Sequence, residues 1–124
     1  MEAAYRPIGG IASGDDLALL LRPSSEQPIS RLARWIVARH VVSFHCGGTT
    51  WLPLFQFERA PMRVRPDVQA VIREISDVFD DWELAAWFAL PNAWLKSRTP
   101  VEALLVHPSA VREAARADRF IAHG

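Results

Sequence analysis

The sequence contains one cysteine, Cys46, and one lysine, Lys96, and it has no long apolar run. A single cysteine cannot form a disulfide within the chain, so the sequence predicts a protein of the reducing cytoplasm. No apolar stretch approaches the roughly 20 residues that cross a bilayer, and residues 1–10 lack the charged and apolar regions of a secretion signal. We therefore expect no membrane partner.

An excess of charge of either sign is also missing, since Lys and Arg number 14 and Asp and Glu number 14. A chain with zero net charge has no overall electrostatic preference for nucleic acid or anionic lipid. The two halves differ, however, because residues 1–66 carry a balance of +3 and residues 67–124 a balance of −3. A mildly basic first half and an acidic second half favour two separate functions.

Common catalytic motifs are absent: there is no H-E-x-x-H, G-x-G-x-x-G, G-x-x-x-x-G-K-[ST] or G-x-S-x-G. His40, His45 and Cys46 come closest to a metal site or a Cys-His pair, but adjacent strand residues point to opposite faces. A group of four carboxylates brackets a predicted helix junction and is expected to cap it: Asp77, Asp80, Asp81 and Glu83. We predict a non-enzymatic protein without metal or cofactor, and an enzyme using His40, His45 or Cys46 is the third alternative.

Periodicity and β-propensity predict a mostly helical α+β fold with two N-terminal helices, one β-hairpin and a bundle of about four short helices. Residues 1–12 look loose, and Ser13 caps a short helix over 16–22. The second helix runs over 28–40 with one apolar stripe, formed by Ile29, Leu32, Ala33, Ile36 and Val37.

β-branched and aromatic residues predict a hairpin over 41–46 and 49–57, with a Gly47-Gly48 turn that needs positive φ. Pro53 cannot donate to a strand ladder, so we expect it on an exposed edge or at a bulge. No other sheet is expected, and residues 58–65 are predicted to be a linker.

Prolines and capping residues divide the second half into four helices. The predicted starts are Pro66, Asp80 with Glu83, Thr99 with Pro100, and Pro108. Pro91 ends the second of these helices, and Gly124 could cap the last. We expect a small helix–helix–hairpin unit in 1–58, which could be a reduced winged helix, and a helical unit in 59–124, together forming one compact body.

A DNA-binding role is one interpretation of the acid-free segment 27–57. Arg31 and Arg34 lie on the polar face of the predicted second helix and Arg39 lies near its end, where they could contact phosphates or base edges. The alternative is a solvated helix face.

Five tryptophans are many for a chain of 124 residues. Trp82 and Trp87 lie about 140° apart on one predicted helix, so both cannot sit at the centre of one apolar stripe. That helix is either central and buried or in contact with a partner, since aromatic anchors dominate many interfaces.

Residues 80–105 resemble the toxin-binding domain of the Xre/MbcA/ParS antitoxin family. The resemblance is carried by Trp87-Phe88, Pro91-Asn92, Leu95 and the Leu-rich turn from Pro100 to Leu105. Residues 51–72 are similar to the segment with an aromatic-Pro-x-x-Gln-Phe pattern that precedes this domain in some relatives, and residues 111–124 are similar to its final helix. The resemblance covers about 51–124.

The resemblance implies a helical domain that often forms a homodimer and binds and neutralises a cognate toxin, frequently a RES-type enzyme that consumes NAD+. The antitoxin's C-terminal end would reach toward the toxin's active site, and its N-terminal part would bind its own promoter DNA. The partner-binding residues that it implies are Trp87, Pro91, Asn92, Trp94, Leu95, Arg98, Pro100, Arg119, Phe120 and His123.

Three features depart from the family pattern. Residues 96–99 replace the small residues, often glycine, that relatives carry before the proline, and any segment that plugs the toxin can include no more than the last few residues. A complete helix-turn-helix before residue 51 is missing as well. We expect an antitoxin-like interaction protein, and the alternative is a DNA-binding regulator or autorepressor using segment 27–57.

Overall fold

A computed structural model describes residues 1–59 and 61–123, and the chain has the predicted mostly helical α+β fold. The helices within these residues are α1 (Glu2–Tyr5), α2 (Gly14–Leu21), α3 (Pro28–Val37), α4 (Pro66–Ile75), α5 (Asp81–Ala89), α6 (Pro100–Leu104) and α7 (Pro108–His123). The strands are β1 (Ile11–Ser13), β2 (Phe44–Cys46), β3 (Thr49–Pro53), β4 (Phe57–Arg59) and β5 (Met62–Val64). Gly124, which was expected to cap the last helix, lies outside the described residues.

The four helices predicted for the second half are confirmed as α4 to α7, and local capping explains where they begin. The Asp80 carboxylate accepts from the Glu83 backbone N–H at 2.8 Å, and the Glu83 carboxylate accepts from the Asp80 N–H at 3.1 Å. This reciprocal pair satisfies two N–H groups at the start of α5. At the start of α6, the Thr99 hydroxyl accepts from the Glu102 N–H at 3.2 Å.

The expectation of a loose N-terminus is wrong, because residues 2–13 form α1, a short 3-10 turn and β1. Tyr5 is fully buried, and its hydroxyl donates to the carbonyl of Ala85 in α5. Burial raises the pKa of the Tyr5 hydroxyl far above its ordinary value, so the group remains a donor. A long-range contact of this kind leaves no local pattern in the sequence.

The predicted hairpin is confirmed as β2–β3, with Gly47 and Gly48 at φ values of 61° and 76°. β1 joins this hairpin, so β3 is the central strand of an antiparallel sheet in the order β1-β3-β2. The predicted position of Pro53 is therefore wrong: it is buried at the end of the central strand. The next residue, Leu54, donates to the Gly10 carbonyl at 3.0 Å and continues the contact with the β1 side.

The predicted linker over 58–65 and the expectation of a single sheet are also wrong, because β4 and β5 pair as a second antiparallel hairpin. Phe57, Met62 and Val64 are buried, and Glu58 forms an ion pair with Arg63 across the two strands. The ladder crosses the expected boundary between residues 58 and 59. Each of these strands has only three residues, so the alternation of buried and exposed side chains is short. Two nearby prolines made this strand pattern harder to recognise in the sequence.

Helix α3 is shorter than predicted and leaves part of its apolar stripe uncovered. It ends at Val37 instead of residue 40. Leu32 is buried, but Ile29 is 74% exposed and Val37 is 84% exposed. Only the middle of this apolar stripe therefore packs into the core, and its two ends are exposed to solvent.

Two clusters of buried apolar side chains form the core. The larger cluster joins helices α4 to α7 with Tyr5, Val42 and Phe44. The smaller cluster joins α2, α3, β3 and the β4–β5 hairpin with Val41. Val41 belongs to the smaller cluster and Val42, the next residue, belongs to the larger one. The segment before β2 thus lies at the junction of the two clusters.

Gln56 holds this junction together. Its side chain is fully buried, its Oε1 accepts from the Val42 N–H at 2.7 Å and its Nε2 donates to the Val42 carbonyl at 2.8 Å. The same Nε2 donates to the Pro53 carbonyl at 2.9 Å. A buried amide with all these partners stabilises the fold, and losing it leaves backbone groups unpaired.

Replacing Gln56 with leucine tests this role. Gln56→Leu keeps the side-chain volume but leaves the Val42 N–H and carbonyl without partners, so we expect a loss of about 2–4 kcal/mol in unfolding free energy. Urea denaturation followed by circular dichroism measures it. Gln69→Leu, at a half-buried position on α4, is the control and should change stability by less than about 1 kcal/mol. Equal losses in the two variants would contradict the assignment.

An ion-pair cluster between α4 and α7 makes stability depend on pH. The Glu74 Oε1 atom lies 3.3 Å from Arg112 Nε and 3.0 Å from Arg116 Nε. Burial raises the pKa of the Glu74 carboxyl, but the hydrogen bonds and charges of Arg116 and Arg112 outweigh burial and lower the pKa below its ordinary value. A folded-state pKa below the unfolded one stabilises the fold at neutral pH.

Glu74→Gln should therefore destabilise the protein at neutral pH and much less in acid. The stabilisation by Glu74 is present above its unfolded pKa of about 4.3 and is lost as pH falls through the lower folded pKa. Urea unfolding of both proteins across this range measures the difference. Glu113→Gln, which removes the exposed partner of Arg116, is the control. A difference for Glu74→Gln that grows on acidification would show that the sign is wrong.

Candidate functional site

The candidate site is centred on Asp118, a residue that the sequence analysis did not select. Helix α7 buries Val111, Ala114 and Ala115 against the core. Asp118 continues this helix face one turn further on, where it is only partly buried. The signal in the sequence was an acidic residue at a position that helical spacing assigns to the apolar face.

Three side-chain donors converge on the Asp118 carboxylate. Its Oδ2 accepts from the Trp87 indole N–H at 2.7 Å and from the Asn92 side-chain amide at 3.1 Å. Its Oδ1 accepts from the Trp94 indole N–H at 2.9 Å. Hydrogen bonds to a charged acceptor are roughly twice as strong as neutral ones. Asp118 therefore ties α5, the corner after it and α7 together.

The corner between α5 and α6 is folded around Asn92. The Asn92 side-chain oxygen accepts from the Trp94 N–H at 2.9 Å, and its backbone carbonyl accepts from Leu95 and Ser97, each at 3.0 Å. The Asn92 N–H donates to the Arg98 carbonyl at 3.0 Å, which closes the loop. The backbone that presents Trp94 is therefore fixed from both ends.

Some of the expected partner-binding residues are buried and support the corner, and others are exposed on its surface. Leu95 and Pro100 are buried and support the corner from within. Trp87 is half-buried, whereas Pro91 and Arg98 are exposed. The structure thus brings Trp87, Asn92 and Trp94 into one hydrogen-bonded group around Asp118.

Trp94 is the most accessible aromatic side chain of this group, at 57% exposure. It lines two surface cavities. One, of about 280 Å³, is lined by Trp87, Leu90, Pro91, Asn92, Ala93, Trp94 and Asp118. The other, of about 190 Å³, is lined by Trp94, Leu95, Lys96, Arg98, Ala103, His107 and Ala110. The corner therefore carries a rigid aromatic side chain between concave surfaces.

The expected residues at the end of α7 are not part of this hydrogen-bonded group. Arg119 Nη2 lies 3.1 Å from the Asp77 carboxylate, and His123 Nε2 lies 4.0 Å from it. Phe120 is 81% exposed, and Ile121 beside it is exposed as well. The ion pair of Arg119 with Asp77 therefore links α7 to the segment after α4, and the side chains of Phe120 and Ile121 face solvent.

Arg39, expected as a DNA contact, is held within the protein. Its φ is 55°, its Nε lies 3.0 Å from Asp81 Oδ1 and its Nη2 donates to the Phe79 carbonyl at 2.8 Å. Another of its nitrogens donates to the Ser76 carbonyl. These contacts stabilise the α4–α5 junction, which the sequence pattern of α3 did not indicate.

Arg31 and Arg34 differ in their contacts. Arg31 donates to the Ser24 carbonyl at 3.3 Å, and its guanidinium lies 4.9 Å from the centre of the Trp35 ring. Arg34 is exposed on α3. Of the three arginines expected to meet DNA, two are therefore engaged by neighbouring groups of this chain.

The residues weighed for catalysis do not converge. His45 Nδ1 shares a hydrogen bond of 2.9 Å with the Thr50 hydroxyl, and Cys46 beside it is exposed. Within residues 1–59 and 61–123, no three His, Cys, Asp or Glu side chains are grouped as a metal site requires. The carboxylates at the α4–α5 junction serve caps and ion pairs: Asp77, Asp80, Asp81 and Glu83.

Searches against protein-family models, curated proteins and solved structures found no match to this chain. No helix in the described part of the chain combines the length and the apolar character that crossing a bilayer requires. The geometry of the Asp118 group is accordingly the basis for assigning a function.

Two consecutive non-glycine residues of the corner, Lys96 and Ser97, have positive φ values of 57° and 66°. This conformation costs an L-residue roughly 1–2 kcal/mol, whereas glycine's extra flexibility costs about 0.5–1 kcal/mol. Ser97→Gly should therefore be neutral or stabilising by up to about 1 kcal/mol. Arg98→Gly, at negative φ, is the control and should destabilise by about 0.5–1 kcal/mol. Thermal unfolding distinguishes them, and equal losses would argue against a strained corner.

Proposed function

We propose that this chain is a cytoplasmic, antitoxin-like protein that binds and neutralises a partner toxin, and that it is not an enzyme. The resemblance of residues 51–124 to the Xre/MbcA/ParS family suggests a RES-type enzyme that consumes NAD+ as the toxin. The observation that carries the proposal is Trp94, which is more than half exposed and yet is held by the Asp118 carboxylate and the Asn92 side chain.

An immobilised tryptophan suits a protein interface for two reasons. Tryptophan is enriched among the few residues that contribute most of the binding free energy at interfaces. Ordering a side chain on binding costs about 0.5–1.5 kcal/mol, and a side chain that is already ordered avoids much of this cost. Leu90 and Pro91, both exposed, extend the apolar surface around Trp94.

The end of α7 supplies a second apolar surface for the same partner. Phe120 and Ile121 are both largely exposed near the C-terminal end of the described chain. Exposed large apolar side chains in neighbouring positions mark contact surfaces more often than scattered ones do. This position suits the proposed approach of the C-terminal end to the toxin's active site.

We also propose a homodimer, because the exposed Ile29 and Val37 on α3 require a cover. Binding to its own promoter has weaker support. Arg34 is exposed in an acid-free segment, but Arg31 and Arg39 are engaged within the chain. Protein binding is therefore the principal proposal and DNA binding the secondary one.

Co-expression with the product of the adjacent gene tests the principal proposal. We expect that product to inhibit growth alone, and the chain to restore growth and co-purify with it. Trp94→Ala should weaken the complex by roughly 30-fold or more, because truncating an interface anchor costs at least about 2 kcal/mol. Isothermal titration calorimetry measures the affinity.

Trp82→Ala is the matched control, since Trp82 is similarly exposed at 47% but lines a different cavity, with Trp51 and Phe44. It should leave the affinity within about threefold of the original. A harmless adjacent gene product, or equal effects of the two tryptophan variants, would count against the proposal.

A further inference from the structure

The negative charge of Asp118 is not neutralised by the groups that bind it. Its three donors are two indole N–H groups and a carboxamide, all of them uncharged. Among the described residues, no Lys, Arg or His nitrogen lies within 4.0 Å of an Asp118 carboxylate oxygen, the distance that defines an ion pair. The neighbouring cation, Arg119, is paired with Asp77 instead.

The Asp118 carboxylate has room for a further donor. Its Oδ2 accepts two hydrogen bonds, whereas its Oδ1 accepts one, from Trp94. A carboxylate offers about four lone-pair sites, so Oδ1 can accept another hydrogen bond. The carboxylate borders the cavity of about 280 Å³ that Trp87 and Trp94 also line.

We propose that this cavity, formed by Asp118 and the rings of Trp87 and Trp94, is a subsite for one arginine side chain of the partner protein. A planar guanidinium can lie against an aromatic ring and donate to a carboxylate at the same time, which suits it better than a compact, strongly hydrated ammonium. A cavity below the size of drug-like pockets fits one side chain rather than a folded segment. That the arginine belongs to a toxin rests on the proposed function.

The subsite chemistry can be tested on the chain alone, by NMR titration with N-acetyl-arginine amide. We expect the indole N–H signals of Trp87 and Trp94 and the side-chain amide of Asn92 to shift, with a dissociation constant on the order of 10 mM. N-acetyl-citrulline amide has nearly the same shape without the charge, and it should bind about fivefold or more weakly. Added salt should weaken the arginine response, since a partly exposed ionic contact is screened.

Variants assign the response to Asp118. Asp118→Asn should abolish the difference between arginine and citrulline, whereas Glu113→Gln, an exposed carboxylate on the same helix, should preserve it. If Asp118→Asn does not fold, Trp94→Leu takes its place, and it should reduce the arginine response. Equal binding of arginine and citrulline, or stronger binding of N-acetyl-lysine amide than of arginine, overturns the proposal. So does an arginine response that is as strong in the substituted variant as in the original protein.

The two proposals can fail separately. If the chain neutralises the adjacent gene product but shows no preference for arginine over citrulline, the subsite is wrong and the proposed function stands. If arginine binds selectively but the adjacent gene product is harmless, the subsite stands and its arginine does not come from a toxin.

Discussion

The buried amide of Gln56 is the constraint on which the two halves of this fold depend. It gives Val42 the acceptor and the donor that a neighbouring strand would otherwise provide, at 2.7 and 2.8 Å. Val41 and Val42 enter different apolar clusters, so an unpaired backbone at this point would be buried between them. A side-chain amide solves this problem because it has the same donor and acceptor as a peptide group. The sheet and the helical half can then pack on opposite sides of one segment without exposing it to water.

The candidate site uses the same principle at the surface. The Asn92 side-chain oxygen accepts from a backbone N–H of its own corner, as a backbone carbonyl would. Asp118 accepts hydrogen bonds from three donors that lie far from it in sequence. Polar groups that share several hydrogen bonds favour one arrangement, because any other arrangement breaks those bonds. Trp94 can therefore remain exposed and ordered at once, although an exposed aromatic side chain is ordinarily free to change rotamer. Rigidity here comes from hydrogen bonds and not from burial.

Features with a local cause could be predicted from the sequence. The capping residues of α5 and α6 and the Gly47-Gly48 turn act within a few residues, and all were found at the predicted positions. Strand pairings between distant segments were missed, since the pairing of Ile11 with Pro53 depends on the tertiary fold. Only part of the Asp118 group could be predicted, because its contacts also join residues that are distant in sequence. Trp87, Asn92 and Trp94 lie in the single segment 80–105, but their common acceptor is 24 to 31 residues further along the chain. The contacts of Arg39 with Asp81 span 42 residues.

Two tryptophans and an asparagine donate to one carboxylate on the last helix. The order of the whole surface therefore depends on that helix. Asp118 is five residues from the end of α7, and the helix beyond it is solvent-exposed. A protease that cut α7 just before Asp118 would remove the acceptor of all three donors in one event, while the buried side chains of Val111, Ala114 and Ala115 stayed in place. Such a cut would keep the part of α7 that packs into the core and remove the acceptor that orders the tryptophan surface. In this protein the lifetime of the ordered tryptophan surface can therefore be shorter than the lifetime of the fold that carries it.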